Sequence, residues 1–273
     1  MSQPTWLAEL PELVEAFSIE SPGAFTLFGS PYRTPAPEDA VPTTNSLLSA
    51  PAQTGLADAL YLALHCRFAQ GSDRYRDPIG ARDFAESVAR SSAGVGPWQP
   101  GWTVRAIEPD GRIVAEKYGV LFWLAADRFR GDGGSPAPNQ RGWVRIPGKF
   151  ETLSGGFHMV LGDGDDEAEI EPLVRIYWHL TAAGAARLTR TLTSRLDGAA
   201  IPFRFKTGSD PIRYHRTDAA VLYLARRRYL TALPVIAATY LEIADALRRP
   251  VSALVRPLAP GLGRRTQGPA VGG

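Results

Sequence analysis

The sequence predicts an α+β protein, a twisted and mostly antiparallel sheet flanked by helices. Three observations carry that reading. Apolar residues recur at helical spacing near both ends of the chain, short alternating segments fill its middle, and the clearest turn signal is Asp110-Gly111 between two apolar runs. An Asp-Gly pair in that setting closes a β-hairpin, and hairpins pair strands antiparallel. With 273 residues, 44% hydrophobic and 10% aromatic, the chain can bury a sizeable core and has a globular composition.

The elements follow in order. Leu7, Leu10, Leu13, Val14 and Phe17 give Trp6 to Phe17 one apolar helical face. Pro, Thr and Ser dominate from Ser30 to Gln53, the composition of a poorly ordered connector. Leu60, Leu64 and Phe68 mark a helix over Leu56 to Phe68, and Asp83 to Arg90 forms a shorter one. Strands are expected at Thr103–Pro109, Arg112–Tyr118, Leu121–Ala125, Gly142–Ile146 and Phe157–Leu161, with the Gly- and Pro-rich stretch Gly131 to Asn139 as a surface loop. Beyond these come a strand (Val174–Leu180), a helix (Ala182–Leu196) and a strand (Ile201–Lys206). Thr181 is the expected N-cap of that helix, and Leu188, Leu192 and Leu196 are its sheet-facing stripe. Ala219–Leu224 fits either strand or helix, Tyr229 to Arg249 reads as a helix marked by Pro234, and the Gly-rich tail after Pro257 reads as disordered. The expected organisation is a helix and flexible connector over 1–55, an α+β domain over 56–257 and a tail over 258–273.

Composition excludes several functions. A net charge of +2 gives no general attraction to nucleic acid or membrane. Cys66 stands alone, so there is no intramolecular disulfide framework, and a reducing cytosol suits the chain. The N-terminus turns acidic at Glu9, Glu12 and Glu15 rather than basic and apolar, and no apolar run is long enough to span a bilayer; a cytoplasmic location is expected. His65, His158, His179 and His215 lack the spacing of zinc ligands. Asp163, Asp165, Asp166, Glu167 and Glu169 miss the ordered spacing of a calcium loop and read as an acidic hairpin tip. Gly131–Gly134 and Gly155-Gly156 lack the Lys-Ser/Thr ending of a phosphate loop, and Cys66 reads as core.

Lysine is scarce. Only Lys117, Lys149 and Lys206 occur among 30 basic residues. Guanidinium stays charged at any physiological pH, whereas a crowded ammonium can lose its proton and serve as a base. Strand alternation puts Arg175 and Tyr177 on one face and Ile176 and Trp178 on the other; likewise Arg204 and Lys206 oppose Phe203 and Phe205. An arginine beside a tyrosine can bind an oxyanion and supply a phenolic proton, although a hydrogen-bonded surface pair has the same spacing. Arg216 is either an anion ligand or the ion-pair partner of Asp218, and Arg226-Arg227-Arg228 is a solvated helix face or the rim of an anionic pocket.

The strings VRIYWHLT, GAARLTRTLTSRLDGAAIPFRFK and YHRTDAAVLYL resemble the Hop-A type bacterial effector family, with echoes in ALYLALHC, GWVRIP, GGFHMVLGD and RPLAPGLG. That family includes plant-pathogen effectors and lyase-like proteins of class V lanthipeptide and thioamitide biosynthesis, and is distantly similar to phosphothreonine lyases. The resemblance implies a phosphothreonine-lyase-like fold. It also implies elimination of phosphate from phosphoserine or phosphothreonine in a precursor peptide, giving dehydroamino acids without metal or organic cofactor. Carried over by position, Lys206 is the base and Tyr177 stands where the general-acid histidine would be, with His158 a second candidate for the acid. Arg175, Arg216 and Tyr223 bind phosphate. A kinase-like phosphotransferase partner would supply the phosphopeptide. The late arginine-containing stretch of the relatives is replaced here by Gly-rich sequence, so that either Arg226, Arg227, Arg256, Arg264 or Arg265 compensates or the activity is lost. The rival readings are a non-catalytic peptide-binding partner of that kinase-like protein and a host-targeted effector.

Overall fold

The computed structural model describes residues 11, 13–33, 50–66, 81–92, 94–131, 133, 135–154, 156–164 and 172–266, which form helices and three sheets. Every strand pair among them is antiparallel, as the α+β reading requires.

The N-terminal part departs from expectation. Most of the Trp6 to Phe17 helix lies outside the described residues; Leu13 to Glu15 are helical, and Phe17 already opens a strand. Strands β1 (Phe17–Ser21), β2 (Ala24–Leu27) and β3 (Ser30–Arg33) make a three-stranded sheet, so the expected connector begins inside a strand. Pro31 misled the sequence reading, yet β3 is an edge strand, where a residue without an N–H is tolerated. Helix α1 (Ala50–Leu60) packs on this sheet through Ala52 and Ala59 against Phe25 and Leu27, then widens into a π-helical turn, Tyr61–Cys66. Phe68, the expected end of the helix, falls outside the described residues.

Helix α2 (Ala81–Arg90) leads to a five-stranded sheet of β4 (Trp98–Ile107), β5 (Ile113–Lys117), β6 (Val120–Leu124), β7 (Phe129–Gly131) and β8 (Arg141–Arg145), in the order β6-β5-β4-β8-β7. The Asp110-Gly111 hairpin is where the sequence put it, with Gly111 at φ 80°. Trp102, Val104, Ile113, Val144 and Leu124 form the inner face. Elsewhere Arg130 lies 5.1 Å from the Trp98 ring and 5.4 Å from the Trp143 ring, a cation–π ladder across β4, β7 and β8.

The seven-stranded sheet is the centre of the molecule. It comprises β9 (Lys149–Ser154), β10 (Phe157–Leu161), β11 (Leu173–Trp178), β12 (Arg204–Gly208), β13 (Ala220–Ala225), β14 (Arg256–Ala259) and β15 (Leu262–Thr266), in the order β14-β15-β11-β13-β12-β10-β9. Helices α3 (Ala185–Gly198) and α4 (Tyr229–Glu242) cover one face, together with Phe84 and Val88 of α2. Leu188, Leu192 and Leu196 are fully buried among Ile176, Phe205 and Leu222, each burial being worth about 1.5–3 kcal/mol. Ala219–Leu224, ambiguous in sequence, is essentially strand β13.

Three details correct the sequence reading. Thr181 makes no side-chain cap; the chain enters α3 through a 3₁₀ turn, Ala182–Gly184. Helix α4 carries Pro234 as expected but ends at Glu242 and passes into a second 3₁₀ turn, Ala244–Ala246, short of Arg249. The supposed disordered tail instead gives Arg256 to Thr266 to the sheet as the β14–β15 hairpin, and only 267–273 lie outside the described residues. Gly261 makes its turn. It sits at φ 73°, and a Cβ there would fall 2.3 Å from the Arg248 carbonyl oxygen. No helix among the described residues is long and apolar enough to cross a membrane.

Candidate functional site

The face of the seven-stranded sheet turned away from α3 and α4 holds the candidate residues. Directly opposed residues on neighbouring strands project to the same side. One row of pairings runs Gly263, Tyr177, Val221, Lys206, Met159 across five strands, and the next runs Arg265, Arg175, Tyr223, Arg204, Leu161. Tyr177, Lys206, Arg175 and Tyr223 therefore share one face, as strand parity implied. The intervening row, Ile176, Leu222, Phe205 and Val160, is the core beneath the helices.

Lys206 is half-buried. Its Nζ lies 4.1 Å from the centre of the Phe157 ring, and the Arg213 and Arg216 guanidinium groups approach the same ring at 5.5 and 5.7 Å. Burial pushes the Lys206 ammonium below its ordinary pKa; Asp218 opposes the shift, while Arg216 and Arg175 reinforce it. Burial pushes the Tyr177 phenol up, against the charge and hydrogen bond of Arg175, so the group keeps its proton at neutral pH. The Arg175 guanidinium lies 5.7 Å from the Tyr223 ring, whose phenol is also raised by burial.

Of the two expectations for Arg216, anion ligand or ion-pair partner of Asp218, the ion pair is present. The Arg216 Nε and Nη2 donate to the two carboxylate oxygens of Asp218 at 2.7 and 2.8 Å. The side chains are 11% and 2% exposed, which makes this a nearly desolvated bidentate pair. Burial alone would raise the Asp218 pKa, but Arg216, with His65 and Lys206 adding, brings it below the usual carboxylate value. Only the donors that Asp218 leaves can reach a phosphate. The pair is positioned by a short 3₁₀ turn, Pro211–His215, whose Asp210 cap accepts from the Ile212 N–H at 3.0 Å.

Sequence reasoning missed the groups that roof this face. The π-helical turn brings the His65 ring edge-on to Tyr177, 5.0 Å between centroids, and Tyr61 Oη to 3.3 Å from Asp218. The Thr217 N–H donates to the Cys66 carbonyl at 2.9 Å and the Ala253 N–H to that of Leu64 at 3.0 Å, while His65 Nδ1 is 2.7 Å from Ser252 Oγ. Burial lowers the His65 pKa and pushes the Cys66 thiol up to about 12, so Cys66 is no thiolate at neutral pH. Tyr61 and Asp218 lie 157 residues apart in sequence, and no local pattern announces such a contact.

Two other candidates resolve. His158 pairs with Thr207, in the row facing the helices, and is 2% exposed; it points away from Lys206 and cannot be the acid there. Among the late arginines, Arg265 is paired with Arg175 and shares its face, whereas Arg264 projects to the other side, 5.0 Å from the Tyr229 ring. Among the described residues no group of three or more His, Cys, Asp or Glu side chains is placed to hold a metal ion, and the acidic stretch from Asp165 to Glu169 lies outside them.

No curated protein matches the chain. Solved structures similar to it include two effector proteins. One is the effector protein from Pseudomonas syringae pv. tomato strain DC3000, 18% identical, with a TM-score of 0.37 over 45% of this chain and 49% of that one. The other is the effector protein from Pseudomonas syringae pv. syringae strain 61, 12% identical, with a TM-score of 0.42 over 71% of this chain and 66% of that one. The chain thus spans about half of the first relative and just under two thirds of the second. The family model that matches, over residues 150–265, is the HopA1 effector protein family. The strands carrying Arg175, Tyr177, Lys206 and Tyr223 all lie within that match, so it is over residues 150–265 that the chain is similar to the HopA1 effector protein family.

Proposed function

We propose that this protein eliminates phosphate from phosphoserine or phosphothreonine in a precursor peptide, leaving dehydroalanine or dehydrobutyrine. The observation that supports this most is Lys206: a lysine with a depressed pKa, on the same sheet face as a protonated tyrosine and the three arginines Arg175, Arg204 and Arg265. In the reaction, neutral Lys206 removes the α-proton. The electrons of that C–H bond form the Cα=Cβ bond, and the Cβ–O bond breaks with its pair leaving on phosphate. Tyr177, held by Arg175, donates a proton to the departing oxygen. Arg175 and Arg265 hold the phosphate and stabilise the charge that grows on it, with Tyr223 in contact and Arg216 contributing what Asp218 leaves. A kinase-like partner supplies the phosphorylated peptide.

A second reading, a peptide-binding subunit without catalysis, draws on one specific observation. Arg216 is clasped by Asp218 and so is not fully presented to an anion. Incubating the protein with a phosphoserine peptide and following its mass separates the two: loss of phosphoric acid supports the lyase, whereas tight binding with unchanged mass overturns it.

A further inference from the structure

Beside Lys206 the same face runs into a cavity of about 320 Å³ between the two larger sheets. Its floor is Met159, Leu161 and Arg204 with Phe150 of β9; its other wall is Gln99 of β4 with Pro97 and Ile146, the residues flanking β4 and β8. Met159 belongs to both places, because it is the residue opposite Lys206 and also lines the cavity. Ile146, Phe150, Met159 and Leu161 are all left half-exposed around a concave surface, which a closed core would not do. The volume lies at the small end of ligand pockets, about 300–1,000 Å³, and suits one or two side chains better than a cofactor.

We propose that this cavity is a specificity subsite that takes a large apolar side chain of the phosphopeptide itself, two or three residues from the phosphorylated one. The proposal rests on the lyase reading for its neighbour and commits to one occupant. Three arguments select it. Apart from Gln99 and Arg204 the lining is apolar, and methionine adapts to varied apolar shapes. The single charged side chain of the lining, Arg204, is cationic and stands two residues from Lys206 on the same face of β12, so it favours the carbonyls and negative charge of a phosphopeptide and disfavours a basic side chain. The offset also fits: neighbouring strands are about 4.8 Å apart and an extended peptide advances about 3.3 Å per residue, so two or three residues carry a side chain from Lys206 across β10 into the cavity.

The test measures binding of a peptide series in which the residues two and three positions to either side of phosphoserine are Leu, Gly, Asp or Lys. Each peptide is also made without the phosphate. The Leu peptide should bind the native protein about 10-fold or more tighter than the Gly, Asp and Lys peptides. Ile146→Trp and Phe150→Trp, which fill the cavity from opposite walls, should shrink that preference to about 2-fold while affinity for the Gly peptide holds; circular dichroism identifies a variant that fails to fold, and the other then decides. Phosphate-dependent binding with no apolar preference overturns the subsite and leaves the lyase reading standing. An apolar preference lost on filling, but equal with and without phosphate, upholds the subsite and removes the lyase reading.

Discussion

Replacing Asp218 by Asn probes the electrostatic centre of the site. The variant keeps the shape of the side chain and one carbonyl oxygen, yet it removes the negative charge that Arg216 grips through two hydrogen bonds of 2.7 and 2.8 Å. Because the two side chains are 11% and 2% exposed, water cannot replace the lost partner, and breaking such a pair costs about 3–5 kcal/mol. Retention of one acceptor places Asp218→Asn near the lower end of that range, and Asp218→Ala near the upper. Urea unfolding at neutral pH reads the difference directly. The sign of the pH dependence follows from the lowered Asp218 pKa: its contribution is fully present above the unfolded value, about 3.9, and fades as pH falls through the still lower folded value. Native and variant proteins should therefore converge in stability at strongly acid pH. Asp218 also opposes the depression of Lys206, so its loss should move the alkaline rise of any elimination activity to lower pH. A cost below about 1 kcal/mol, with no convergence in acid, would refute the desolvated pair.

Other outcomes follow from the same geometry. Gly261→Ala should destabilise the protein by more than about 2 kcal/mol in the same assay, since it combines a left-handed backbone with a Cβ placed 2.3 Å from a carbonyl oxygen; a neutral effect would mean that the β14–β15 turn is not held as described. Arg175→Ala should weaken phosphopeptide binding by about 1.5–3 kcal/mol, and the exposed Arg265→Ala by less, while unphosphorylated peptide binds both as before; equal losses for the two peptides would make these arginines structural. The rate of elimination should rise with pH through a lysine value below the ordinary 10.5, and a rise only above that value would separate Lys206 from the proton abstraction.

Much of the central sheet was legible because its residues obey simple periods. Alternation placed Arg175 with Tyr177 and Arg204 with Lys206, and the i, i+4 leucines of α3 identified the opposite face as core. The Arg216–Asp218 ion pair was visible as an alternative, two residues apart on one loop. What escaped did so for identifiable reasons. Pro31 and the glycines around Gly261 look like loop chemistry, but an edge strand accepts the proline and a hairpin turn requires the glycine. β7 is only Phe129–Gly131, too short for any period to show. The roof formed by Tyr61 and His65 depends on tertiary contacts of a π-helical turn with Asp218, ahead of β13, and with Tyr177 of β11, and composition carries no trace of them.

The central claim is that Lys206 acts by giving up and accepting a proton, and Lys206→Arg tests it most directly. Arginine preserves the positive charge beside Phe157 but cannot become neutral at physiological pH. With the same phosphoserine peptide and mass spectrometric detection, the native protein should release phosphoric acid, and Lys206→Arg should bind the peptide with similar affinity and leave its mass unchanged. Elimination by the arginine variant at a rate close to native would contradict the account.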